Sequence, residues 1–147
     1  MENKTQIFVT HSGFIELPKI TDGIDGIISV AESFTHVPFD IKRVYYIYNL
    51  NNPGAIRGKH AHKELEQVLF CIAGSCTIGI DDGAQTQTVR LDKPHIGIYL
   101  GKELWHTMQD FSRDCIMLVL ASQLYNAKDY IRDYEQFKHY IAQRKAI

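Results

Sequence analysis

Short apolar segments, cut apart by turn residues at a spacing of roughly 8–12, run through most of this sequence. RVYYIYNL is rich in aromatic and β-branched residues and ends in a Pro/Gly turn, NNPGAIRG. HAHKELEQVLFCIAG follows and is broken at Ala73-Gly74-Ser75 before CTIGIDD. Asp82-Gly83 is a hairpin signal, and QTQTVRL after it alternates. KPHIGIYLG, LWHTMQDF and CIMLVLAS continue the series, and QIFVT and GIISVAES upstream look extended. Many short strands at this spacing predict an all-β sandwich or barrel.

The last segment has another period. From Ala127, the residues Tyr130, Tyr134, Phe137 and Ile141 fall on one helical face, with charge on the other. Asn126 resembles an N-cap and Asp129 a first-turn carboxylate. The expectation is one domain over residues 1–147, a barrel over about 1–122 and a helix over about 127–144 packed against it.

Lys plus Arg number 16 and Asp plus Glu 17, a net charge of -1, which leaves no footprint for nucleic acid or an anionic membrane. Cys71, Cys76 and Cys115 are odd in number and lack CxxC spacing, which argues against a disulfide framework or a zinc site; Cys71 and Cys115, in apolar runs, read as buried free thiols. No apolar run approaches a membrane span and MENKTQIFVTH lacks signal-peptide character, so a cytoplasmic protein is expected.

Chemistry concentrates in RGKHAHKELEQ, residues 57–67. His60 and His62, two apart on a strand, face the same way about 7 Å apart. Lys63 points the other way. His106, in a later strand, lines the same cavity if that strand is a neighbour. Arg57 offers a bidentate grip on a pyrophosphate or an enolate oxygen. Gln67 is placed to hydrogen-bond a histidine or a sugar, and Trp105 to stack on a sugar or base or simply to pack. Tyr48, on the same strand face as Tyr46, offers a phenol as acid or oxyanion donor.

These residues resemble the first motif of the cupin superfamily: Gly54, five residues, His60, Ala61, His62, four residues, Gln67, six residues, Gly74. Gly101 and His106 loosely match the second motif. The superfamily expects a glutamate where Gln67 stands, and a neutral amide is a poor ligand for a divalent cation. Over nearly the whole chain the sequence resembles more closely the sugar-nucleotide 3,4-ketoisomerases, through RGKHAHKELEQ, RVYYIYNL before it, the strand ending in AGS, and LWHTM.

That resemblance implies a double-stranded β-helix, or jelly roll, and a homodimer without metal or other cofactor. It implies action on dTDP-4-keto-6-deoxy-D-glucose for deoxyamino sugars of bacterial surface glycans. It implies His62 as the base at carbon 3, His60 as proton shuttle or donor and Tyr48 in the site; by their own chemistry and placement Arg57, Gln67, Trp105, His106 and Tyr46 are expected around the substrate. Such a reaction is a set of proton transfers near neutral pH, to which imidazole is matched. The rivals are a metal-dependent cupin using His60, His62 and His106, a dTDP-sugar epimerase, and a sugar-binding module without activity.

Overall fold

In a computed structural model, residues 5–147 are described, and Met1–Lys4 lie outside the described part. Two five-stranded sheets face each other. The first has the order β1 (Ser12–Glu16), β9 (Ile96–Leu100), β6 (Gln67–Ala73), β11 (Ile116–Ala121) and β4 (Arg43–Ile47). The second has the order β12 (Tyr130–Ile131), β5 (Arg57–His62), β10 (Trp105–Gln109), β7 (Cys76–Asp81) and β8 (Thr86–Leu91). A two-stranded hairpin, β2 (Lys19–Thr21) with β3 (Ile27–Ser29), stands apart. All ladders between these strands are antiparallel. The expected β-sandwich closed by a C-terminal helix is what the chain forms. The turn-punctuated segments from RVYYIYNL onward all supply strands; QIFVT does not, and SGFIE, unnoticed in the sequence, supplies β1.

Alternation decides what each sheet face does. Leu69, Ile78, Ile98, Met117 and Val119 fill the space between the sheets. On the outer face of the first sheet Val68, Phe70 and Leu120 are covered by Val37 and Phe39 from the segment before β4. On the outer face of the second, Ala61 and Ile131 lie under Phe137 and Ile141 of helix α1 (Tyr134–Lys145). Full burial of side chains such as these two contributes about 1.5–3 kcal/mol each.

The helix begins later than its period predicts. Asp133 is its N-cap, accepting from the Gln136 N–H at 2.9 Å. Residues 127–131 form a 3-10 turn, capped by Asn126, and then β12, whose Tyr130 pairs with His62 and Ile131 with Ala61. Strand pairing at the free edge of β5 overrides local helical period here. Tyr134, Phe137 and Ile141 keep the expected stripe; Tyr130 leaves it for the edge of the histidine strand.

Candidate active site

β5 contains one residue more than its partner can pair. Against β10, His106 faces His60 and Thr107 faces Gly58, so Lys59 is left over. Gly58 and Lys59 take φ of 77° and 57°. A bulge of this kind bends the strand and re-aims the next side chain. Position 58 requires glycine, because a Cβ would lie 3.0 Å from the His106 carbonyl oxygen. The bulge turns the Gly58 carbonyl toward the ring that follows, and it accepts from His60 Nδ1 at 3.0 Å.

His62, the next inward residue, is only 3% exposed. Its Nδ1 lies 3.0 Å from Asp129 Oδ2. The buried Asp129 carboxylate also accepts from the N–H groups of Glu64 (2.7 Å) and Leu65 (3.2 Å), which fixes its orientation. Carbonyl and carboxylate oxygens accept and do not donate. Each Nδ1 therefore carries the proton, and each Nε2 presents a bare lone pair.

The His106 ring centroid is 4.7 Å from that of His60 and 6.1 Å from that of His62. Its Nε2 accepts from the Gln67 amide nitrogen at 3.1 Å, and Gln67 Oε1 accepts from the Tyr45 hydroxyl at 3.4 Å. Among the described residues His106 Nδ1 is buried without a well-formed hydrogen bond, although the nearby Leu104 backbone favours its charged form. Tyr130 stands edge-on to both strand histidines, 4.9 Å from His60 and 4.4 Å from His62 between ring centroids. The Arg132 guanidinium covers the Tyr130 ring at 4.2 Å.

Burial, and then the neighbouring His62, push the His60 pKa down to about 4. Burial also lowers that of His62, against the opposing pull of Asp129. His106 falls well below the ordinary value because it is buried beside two other imidazoles. All three rings are thus neutral near pH 7, and the strand pair is ready to accept protons. The guanidinium groups add positive potential. Burial, and then Tyr130, push the Tyr45 pKa up against the opposing pull of Arg43 and Arg57, and Arg43 and Arg132 oppose protonation of His62.

His60, His62, Gln67 and His106 come together as expected, and Arg57 stands exposed at the entry to β5 with its charge felt at Tyr45. Three residues do not join them. Trp105 points to the other face of β10 and packs on Tyr134 and Phe137, 5.3 and 5.8 Å between ring centroids. Tyr46, in β4, and Tyr48, one residue past its end, do share a face, but it is the outer one, where they are 63% and 58% exposed. The inward tyrosine is Tyr45, one position earlier, packed against the core between the sheets. Sequence reasoning placed Tyr130 in the helical stripe and gave Asp129 the role of a first-turn carboxylate, so neither was expected at the site. The only signal for either was an acidic and an aromatic residue side by side in a segment that looked helical.

The donor set does not fit a metal held by His60, His62 and His106. The His106 lone pair is engaged by Gln67, and an amide stands where a charge-neutralising carboxylate would be needed. Among the described residues, the one group of three or more His, Cys, Asp or Glu ligand atoms lying within 4.8 Å of one another is Cys71, Cys76 and Cys115.

Comparisons with known proteins agree on a family. The profile described as "FdtA: WxcM-like, C-terminal" matches residues 10–142. A TDP-4-oxo-6-deoxy-alpha-D-glucose-3,4-oxoisomerase from Aneurinibacillus thermoaerophilus is 47% identical over 142 residues, 97% of this chain and 94% of that protein. A 3,4-ketoisomerase from Helicobacter canadensis is 40% identical with a TM-score of 0.86, over 92% of this chain and 99% of that one. The 3,4-ketoisomerase QdtA from Thermoanaerobacterium thermosaccharolyticum, solved with TDP, is 36% identical with a TM-score of 0.89, over 93% of this chain and 98% of that one. A variant of QdtA has been solved with TDP-4-keto-6-deoxyglucose. Over nearly its whole length, then, the chain belongs to the FdtA (WxcM-like, C-terminal) family.

Proposed function

We propose that this protein converts dTDP-4-keto-6-deoxy-D-glucose to a dTDP-3-keto-6-deoxyhexose, with His60 and His62 each carrying one proton and no metal taking part. The chain is an isomerase, a sugar 3,4-ketoisomerase like its relatives. The observation that carries the mechanism is the pair of Nδ1 clamps, which leave two bare Nε2 atoms on one strand face.

Two protons must move. The hydrogen on carbon 3, acidified by the carbonyl at carbon 4, ends on carbon 4. The proton of the 3-hydroxyl ends on the oxygen of carbon 4. An enediol(ate) lies between, and no electron acceptor is needed. Each catalyst starts by accepting a proton, which is what a bare Nε2 does.

Exposure and charge support a division of labour opposite to the one the resemblance implies. His60 is the more open ring, so it is the one that a bulky substrate meets at carbon. Its depressed pKa makes its imidazolium a strong acid, quick to return the proton to carbon 4. The anionic enediolate beside it offsets its weakness as a base during the transfer. His62 is sealed, and the Asp129 carboxylate stabilises its cation. That suits a shuttle that takes the 3-hydroxyl proton and delivers it to the neighbouring oxygen. Tyr45, rather than Tyr48, brings a phenol to the site, where its hydroxyl anchors Gln67. Arg57, with Arg43 and Arg132, gives the positive edge that a diphosphate and an enediolate both favour.

A homodimer is the proposed assembly. The β2–β3 hairpin holds Ile20, Ile24, Ile27 and Ile28 in solvent, all more than half exposed, an apolar arm that a second copy would cover. No helix is long and apolar enough to cross a membrane, among the described residues. The proposed cytoplasmic location is supported by three free thiols, which suit a reducing compartment.

The test is incubation with dTDP-4-keto-6-deoxyglucose, with a strong chelator present throughout, followed by NMR of the sugar. The expected product has its carbonyl at carbon 3. A carbonyl still at carbon 4 with an inverted ring carbon would make the protein an epimerase. Turnover that stops on chelation and returns with one added metal would overturn the metal-free mechanism.

A further inference from the structure

We propose that Cys71, Cys76 and Cys115 form a binding site for a soft monovalent metal ion of the Cu(I) class, separate from the histidine site. The three cysteines come from β6, the start of β7 and the residue before β11, and each is at most 1% exposed. Their Sγ atoms all lie within 4.8 Å of one another, and those of Cys71 and Cys115 are 3.6 Å apart. A fourth sulfur, Met117 Sδ, is 3.7 Å from Cys76 Sγ. Metal–thiolate bonds of about 2.3 Å in a trigonal arrangement need sulfurs roughly 4 Å apart. The cluster is therefore close to ligand geometry without backbone movement.

Rigid parts of the fold hold these sulfurs in place. The turn between β6 and β7 passes through Gly74 at a φ of 68°, against the 112–115 loop. A Cβ there would lie 2.9 Å from the Cys115 nitrogen, so this close approach, which brings Cys115 to the other two, depends on glycine. Sequence spacing hides the convergence, because Cys115 is far along the chain from the other two. The site lies four residues, about 13 Å, further along β6 than Gln67, so it is not part of the histidine cluster.

The donors select the ion. Three thiols with a thioether and no nitrogen ligand are a soft set of the kind that favours Cu(I). Zinc in a structural site takes four Cys or His ligands, and a thioether does not replace one of them. Each thiolate–metal bond that forms releases a thiol proton to solvent. The residue Cys115 borders, with Asn51 and Arg113, an open surface groove of about 570 Å³, while its thiol is buried with the other two.

The test is anaerobic titration of the reduced full-length protein with Cu(I) in competition with a chromophoric Cu(I) chelator. One ion per chain is expected, with an ultraviolet thiolate-to-metal charge-transfer band and a raised melting temperature. Cys71→Ser, Cys76→Ser and Cys115→Ser should each weaken binding by at least roughly 10–100-fold. His60→Asn and His62→Asn should leave it unchanged. X-ray absorption of the Cu(I)-loaded unmodified protein reads the ligands without any variant having to fold, and only sulfur neighbours are expected. Nitrogen neighbours, loss of binding in the histidine variants, or equal affinity in the unfolded chain would each overturn the proposal.

Discussion

Two different parts of the chain hold the two strand histidines, and they hold them differently. His60 is clamped by its own strand: a bulge at Gly58 and Lys59 turns a neutral backbone carbonyl onto Nδ1. His62 is clamped from 67 residues away by the carboxylate of Asp129, in the segment between barrel and helix. Both clamps select the same tautomer, so both rings present a bare Nε2. They differ in what happens once a proton arrives. A carbonyl dipole does little for an imidazolium, whereas a carboxylate stabilises it. One strand face thus offers a proton acceptor that lets go readily and another that holds on, and the proposed reaction, which moves two protons, would use both behaviours.

The largest effect should come from breaking the distant clamp. In Asp129→Asn an amide donates to Nδ1 and puts the His62 proton on Nε2, the wrong atom. Turnover should fall by about 10²–10⁴-fold with the fold retained, as judged by circular dichroism. An unchanged rate would mean that His62 needs no carboxylate. The local clamp is broken by Gly58→Ala, which strains a left-handed position and pushes on the His106 carbonyl. Turnover should drop by about 10²-fold, the scale of a 1 Å misplacement, with about 1–3 kcal/mol of stability lost in denaturant melts.

A smaller effect separates the two faces of β4. Tyr45→Phe removes the hydroxyl that anchors Gln67 and should cost about tenfold in kcat/KM, the scale of one net hydrogen bond. Tyr48→Phe, on the outer face, should leave kcat/KM unchanged. A reversed order would put the outer tyrosine in the site.

The mildest probe is pH. The folded His60 ring should titrate near 4 by NMR, against about 6.5 in the unfolded chain. Between these values the unfolded chain binds the proton and the folded chain does not. Stability is therefore full above about pH 6.5 and is lost as pH falls from there toward 4. Activity should likewise persist somewhat below pH 6.5 before the histidines protonate. A His60 titration at or above 6.5 would remove the contrast between the two clamps.

Most strands were legible because alternation and turn residues are local signals. The pairing of His60 with His62 followed from the period of a strand, and Gln67 and His106 followed from motif spacing. What could not be seen depended on tertiary pairing. Tyr46 and Tyr48 were correctly placed on one face, but nothing local says which face of β4 meets the other sheet. Trp105 sits under the helix because alternation sends its neighbour His106 inward. Tyr130 looked helical because its spacing continues the Phe137 stripe, and Asp129 because it follows a cap-like Asn126. Only the free edge of β5 pulls that segment into an extended pair and delivers its carboxylate to His62. The bulge was equally hidden, since Arg-Gly-Lys-His looks like an ordinary strand entry until its register against β10 is known.

The separation of the two protons is tested most directly by following the carbon 3 hydrogen of dTDP-4-keto-6-deoxyglucose by proton NMR in deuterium oxide. His60→Asn and His62→Asn are compared after both are shown to be folded. If His60 works at carbon and His62 at oxygen, His60→Asn abolishes exchange of that hydrogen along with turnover. His62→Asn should then lose turnover by about 10²–10⁴-fold yet retain slow exchange, because His60 alone removes the proton. Exchange that survives in His60→Asn and vanishes in His62→Asn would contradict this division, and full turnover in both variants would remove the histidines from the reaction.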